Sequence, residues 1–158
     1  MAKEITLKTI EQSDNVGLYS ICINGTQSEF DKFVTTFKQN ASVSRDFQRI
    51  IFALTKIVSD GALERFFRPE GKFSDNAAAL SIDSRKLRLY CLRISDQILI
   101  LGNGGIKTTA TYEQDPILNG YVCDLQAFDA LLKEMQKNGS VTIEKTIITN
   151  IDDIKLTL

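Results

Sequence analysis

A chain without a single histidine must do any chemistry with arginine, lysine, tyrosine and carboxylates. The commonest general base and metal ligand is missing, which excludes Ser-His-Asp and Cys-His triads. What stands out instead is a concentration of cations. Five of the seven arginines (Arg65, Arg68, Arg85, Arg88 and Arg93) fall between residues 61 and 112, where guanidinium groups could meet phosphate oxygens bidentately. With Lys86 and Lys107 they are interleaved with Phe66, Phe67, Tyr90 and Tyr112. Such a set has the two ingredients of a surface for single-stranded nucleic acid, phosphate neutralisation and base stacking. The plainer alternative is a solvated basic sheet face paired with an acidic carboxyl-terminal block.

The other candidate groups carry less. Glu64, Glu70, Asp75, Asp83 and Asp96 are scattered without the ligand spacing of a calcium or magnesium loop, so no metal is expected. Gly102-Asn103-Gly104-Gly105 follows an apolar run but has neither the Walker lysine nor a Gly-x-Gly-x-x-Gly pattern, and it reads as a tight turn. Cys22, Cys91 and Cys123 are odd in number, widely spaced and set among apolar residues, which predicts buried free thiols rather than disulfides. No cofactor motif is present.

The elements that must position these groups follow from periodicity. Ile5 and Leu7 alternate with polar residues, and Val16 to Ile23 runs to Asn24-Gly25, which predicts two strands. Ser28 and Asp31 open an amphipathic helix with Phe30, Phe33, Val34 and Phe37 inward; Ser44 caps a second, with Phe47, Ile50, Leu54 and Ile57 inward, ending at Gly61. The short link between them predicts a helical hairpin. Arg65 to Gly71 is expected to form a basic, aromatic loop. Ala78 to Ile82, Leu87 to Ile94 and Ile98 to Leu101 read as an antiparallel meander. Within Leu87 to Ile94, strict alternation puts Arg88 and Tyr90 on one face and Arg93 on the other, so a shared surface requires a bulge. Asp115-Pro116 suggests a helical turn, Asp124 caps a last helix ending at Gly139, and the tail adds a strand to a sheet edge. The fold class is α+β.

This order of elements, with Phe67-Arg68-Pro69-Glu70-Gly71, the run Leu87-Arg88-Leu89-Tyr90-Cys91-Leu92-Arg93, and Ile98-Leu99-Ile100-Leu101-Gly102 leading to Ile106-Lys107-Thr108-Thr109, resembles the RelE/HigB superfamily of toxin ribonucleases, including its phage-derived HigB-like members, over about residues 16 to 112. The resemblance implies metal-independent cleavage of messenger RNA, commonly at the ribosome, and restraint by an antitoxin protein, for instance of helix-turn-helix type. It assigns Arg88 to the scissile phosphate, Arg93 and Lys107 to further positive charge, and Tyr90 or Tyr112 to stacking or proton movement. Arg65, Arg68, Lys86 and Tyr112 would hold the nucleic acid. Thr108 stands where related sequences usually carry a second lysine, and residues 113 to 158 have no counterpart in the compact toxins. That extension carries 8 acidic against 4 basic side chains and could lie over the basic sheet as a cover.

Length and composition bound these readings. A chain of 158 residues, 43% hydrophobic and 25% charged, suits one globular domain with its own core. No apolar run reaches the roughly 18 residues of a membrane span, so a cytoplasmic protein is expected. Its net charge of −1 is not that of a strongly basic nucleic-acid binder. A non-catalytic protein-interaction module of the same fold and a nucleic-acid-binding domain that does not cut therefore stand beside the ribonuclease.

Overall fold

The computed structural model describes residues 2–69, 75–82 and 86–158. In chain order the elements are β1 (Glu4–Gln12), β2 (Gly17–Ile23), α1 (Glu29–Phe37), α2 (Ser44–Asp60), β3 (Phe67–Pro69), β4 (Ala77–Leu80), β5 (Leu87–Ser95), β6 (Ile98–Ile106), α3 (Pro116–Lys137), β7 (Ile143–Glu144), β8 (Ile147–Ile148) and β9 (Lys155–Thr157). Seven strands form one mixed sheet in the order β3-β4-β5-β6-β2-β1-β9. Only β2 and β6 run parallel; the other pairs are antiparallel, and β4-β5-β6 is the expected meander. The α+β class holds, and β9 extends the sheet edge beside β1 as the alternation of the tail predicts.

Helices cover both faces of this sheet. On one face α1 and α2 bury Phe33, Phe37, Phe47, Ile50, Leu54 and Ile57 against Leu18, Leu87, Leu89, Cys91, Leu99 and Leu101. Phe33 stacks on Phe47 at 6.1 Å between ring centroids, joining the two helices. On the other face α3 buries Leu118, Val122, Leu125, Phe128 and Leu132 against Tyr19, Ile21, Tyr90, Leu92, Ile98 and Ile100. At about 25 cal/mol per Å² of apolar surface, each of these large side chains contributes roughly 1.5–3 kcal/mol, so neither helix layer can leave without exposing the sheet.

Local signals differ in how far they hold. Ser28 does cap α1, its side chain accepting from Asp31 N at 3.1 Å. Ser44 does not cap α2: a 3-10 turn over Ala41–Val43 intervenes, with Asn40 Oδ1 accepting from Ser42 N at 3.0 Å. Asp115, not Asp124, caps α3 by accepting from Ile117 and Leu118, so the expected helical turn and last helix are one 22-residue helix with Pro116 in its first turn. Asp124 lies inside that helix, buried, with its carboxylate 3.0 Å from Lys3 Nζ. Between α3 and β9 the chain forms a small hairpin, β7 with β8, rather than a sheet strand. Tyr19 holds it, accepting from Ile148 N at 3.0 Å and donating to Thr146 O at 3.2 Å.

The Gly102-Asn103-Gly104-Gly105 stretch is strand interior, not a tight turn. Leu89 faces Gly104 while Cys91 faces Leu101, so β6 carries one residue more than β5 between these points, a bulge in β6. Close approach explains the glycines. A Cβ on Gly104 would stand 1.8 Å from Arg88 O, and one on Gly102 2.8 Å from the Leu125 side chain. Asn103 accepts from Gly104 N at 2.7 Å through its own carbonyl oxygen and donates to Glu29 Oε1 at 3.3 Å, tying the bulge to α1.

Two glycine substitutions should separate these effects. Gly104→Ala forces backbone against backbone and is expected to cost about 2 kcal/mol or more. Gly120→Ala, inside α3 with nothing within 4 Å of its Cβ, is expected to stabilise by about 0.5–1 kcal/mol. Urea titrations followed by circular dichroism check both; equal midpoints for the two variants would contradict the close-packed bulge.

Candidate nucleic-acid interface

The residues assigned from sequence do not converge on one surface. Because the bulge lies in β6, β5 keeps its alternation: Arg88 and Tyr90 turn toward α3 while Arg93 turns toward the α2 side. At about 3.3 Å per residue, the two arginines are also roughly 16 Å apart along the strand. Arg88 is 4% exposed and Tyr90 1% exposed, with Tyr112 edge-on to Tyr90 at 6.1 Å. The carboxyl-terminal extension does lie over the sheet: its helix α3 packs against the face that Tyr90 shares. Arg93 is held in place, Nε donating to Ala62 O at 2.7 Å, with Asp96 paired to its guanidinium and Glu64 3.9 Å from it.

The remaining cations are at the surface, in two groups. Lys86 and Lys107 line one cleft of about 350 Å³ beside Ser42, Val43 and Thr108, at the amino-terminal end of α2. Their strands are joined there by Lys107 N donating to Lys86 O at 2.7 Å. Arg65 lies beyond the other end of α2, its guanidinium 5.0 Å over the Phe66 ring and 3.8 Å from Asp60. Arg68 is exposed on the edge strand β3. Arg85, Glu70, Gly71 and Asp83 lie outside the described residues.

The two groups are joined by residues that sequence reasoning passed over. Arg45, Arg49, Phe52 and Lys56 are all exposed and recur at helical spacing, so they form one outward row along α2. At 1.5 Å per residue, the row from Arg45 to Lys56 extends over about 16 Å of the helix. Among the described residues, no carboxylate forms an ion pair with it. Asp46 turns inward and accepts from Leu87 N at 3.2 Å, and Asp60 at the end of the helix is beside Arg65. Among the described residues, Arg45, Arg49, Lys56 and Lys107 form no ion pair. A groove of about 250 Å³ runs beside the row, with Arg49, Phe52, Lys56 and Phe66 at its rim. The signal was legible: the face opposite the apolar stripe of α2 reads Arg-x-x-x-Arg-x-x-Phe-x-x-x-Lys without an acid.

A larger cleft of about 430 Å³ involves Glu64, Phe67, Asp75, Asn76 and Arg93, but its cation is already engaged and its carboxylates oppose an anion. Among the described residues no group of three or more His, Cys, Asp or Glu side chains could hold a metal ion. No helix there is long and apolar enough to cross a membrane.

Nucleophilic chemistry has little support. Burial pushes the Cys22 thiol above its ordinary value, and burial together with Glu29 and Asp115 does the same to the Tyr121 phenol, so both stay protonated at neutral pH. Cys91 is buried, whereas Cys123, expected to be internal, is exposed on the outer side of α3. Its place in the helix, between inward Val122 and Asp124, turns it to solvent. Iodoacetamide on the native protein should therefore add one group, at Cys123, even when pH is raised into the ordinary thiol range; comparable labelling of Cys22 in an intact-mass and peptide-mapping experiment would contradict the burial.

No known family model, curated protein or solved structure matches this chain, so its site rests on its own geometry.

Proposed function

We propose that this chain binds nucleic acid without cutting it, and that α2 is the contact surface. The observation that carries the reading is the outward row of Arg45, Arg49 and Lys56, exposed, without an ion pair among the described residues and continued by Arg65. A cation row about 16 Å long can follow the repeating charge of a phosphate backbone. Arginine supplies bidentate donors, lysine a point charge. The near-neutral net charge is compatible with this because acidic groups such as Asp124 and Asp129 belong to α3, on the other face of the sheet. Binding without cleavage is favoured over catalysis because Arg88 and Tyr90 are buried and Arg93 is tied to Ala62 and Asp96.

A second reading, the RNA-cleaving toxin restrained by an antitoxin partner, is supported by one observation. Lys86 and Lys107 share a cleft at the end of the β5–β6 pair, where fixed cations could stabilise a developing negative charge on phosphate.

One assay addresses both. Fluorescence anisotropy with a labelled 20-nucleotide RNA should show binding whose logarithm falls with log salt at a slope of about −3, as four phosphate contacts imply, or roughly 50-fold between 50 and 200 mM. The triple variant Arg45→Glu, Arg49→Glu, Lys56→Glu should bind at least about 10-fold more weakly with an unchanged circular dichroism spectrum. Binding indifferent to salt, or undiminished in the triple variant, would overturn the proposal. RNA shortened on a denaturing gel by wild type, and spared by Lys86→Ala, Lys107→Ala, would favour the toxin.

A further inference from the structure

We infer that the groove beside α2 is a stacking site for one unpaired base, which makes the surface selective for single strands over duplexes. This rests on the nucleic-acid reading of α2 and adds a ligand class to it. Phe52 is 63% exposed, although it sits in a helix whose other aromatic, Phe47, is buried. An exposed phenylalanine in mid-helix gains nothing from the core, so its position has to be explained by what surrounds it. Arg49 and Lys56 stand one helical turn to either side on the same face, and Lys56 Nζ lies 5.7 Å from the ring centroid.

A second ring, Phe66, lines the same groove, with Arg65 over one of its faces. Ala53, Ser81 and Ile82 complete the lining. Ser81 N is bonded to Phe66 O at 2.8 Å, which fixes Phe66 against the end of β4. The result is an open groove of about 250 Å³ lined by two aromatic rings, each with a cation beside it. A cation over a surface ring such as Phe52 gains only about 0.5–1 kcal/mol and is readily exchanged for a base, whose phosphates it can then hold.

A base enters such a groove only if its own face is free. In a duplex both faces are stacked and the pairing edge is taken, so a duplex can meet this helix through its phosphates alone. A single strand can do both, phosphates on Arg45, Arg49 and Lys56 and a base against Phe52. The Ser81 hydroxyl in the lining can donate to or accept from a base edge. Phe66 belongs to the aromatic set that the arginine-rich segment first suggested, whereas Phe52 does not.

The test uses the full chain and two probes, a labelled 20-nucleotide strand and the same sequence annealed to its complement. Wild type should prefer the single strand, and Phe52→Ala should weaken single-strand binding about 10-fold while leaving the salt slope and duplex binding unchanged. Phe52→Tyr, which keeps a ring, should retain wild-type affinity. Because Phe52 is exposed, circular dichroism should be the same for all three proteins. Wild type that binds strand and duplex alike, or a Phe52→Ala variant as tight as wild type on the single strand, overturns the stacking site while the salt-dependent surface stands. Wild type that binds neither probe removes the surface and the stacking site together.

Discussion

The structure depends on one constraint, that β5 and β6 are covered on both faces. Leu87 to Leu92 and Ile98 to Gly105 are buried without interruption, because α1 and α2 close one side and α3 the other. Strands in that position read as near-continuous apolar runs rather than alternating ones, and their backbones must pack closely. This explains the glycine-rich end of β6, where Gly102 gives room to Leu125 and Gly104 to the Arg88 carbonyl. It also explains why polar residues inside these strands serve the fold. Ser20 on neighbouring β2, fully buried, donates to Leu101 O and accepts from Phe30 N, joining β6 to the start of α1.

The same constraint distributes the charge. Acidic side chains of the carboxyl-terminal block are structural fasteners: Asp129 accepts from both the backbone and side chain of Asn76 at the start of β4 and is 3.1 Å from Lys133, while Asp124 anchors Lys3 beside β1. Removing one partner of a buried, hydrogen-bonded charge leaves the other unsatisfied, so these contacts matter more than surface pairs. With Asp124 and Asp129 on the α3 side and Asp46 turned inward, the outer face of α2 between residues 45 and 56 carries only cations among its charged side chains. The candidate interface is thus a by-product of how the two faces are closed.

Much of the architecture could be read from the chain. The apolar stripes of α1 and α2, the Ser28 cap, the β4-β5-β6 meander and the β9 edge strand all follow from local periodicity. The failures have physical causes. Gly102 to Gly105 carries turn chemistry, and only the close approach of α3 and the Arg88 backbone reveals why small residues sit in a strand. Asp124 has the residue type of a cap but faces Lys3, a contact between residues far apart in sequence. The charge row on α2 is present in the sequence, but most arginines lie between residues 61 and 112. Arginine in a strand is ambiguous, since burial depends on what covers it. On a helix, Arg45 and Arg49 opposite an apolar stripe have only one place to point.

The most direct test of this account is a map of amide chemical-shift changes in the folded chain as an unlabelled single-stranded 20-nucleotide RNA is added. The account predicts that changes concentrate along residues 45 to 56 and at Arg65 and Phe66, with β5 unaffected. Changes confined to Lys86, Arg88 and Lys107, or none at low salt, would contradict it.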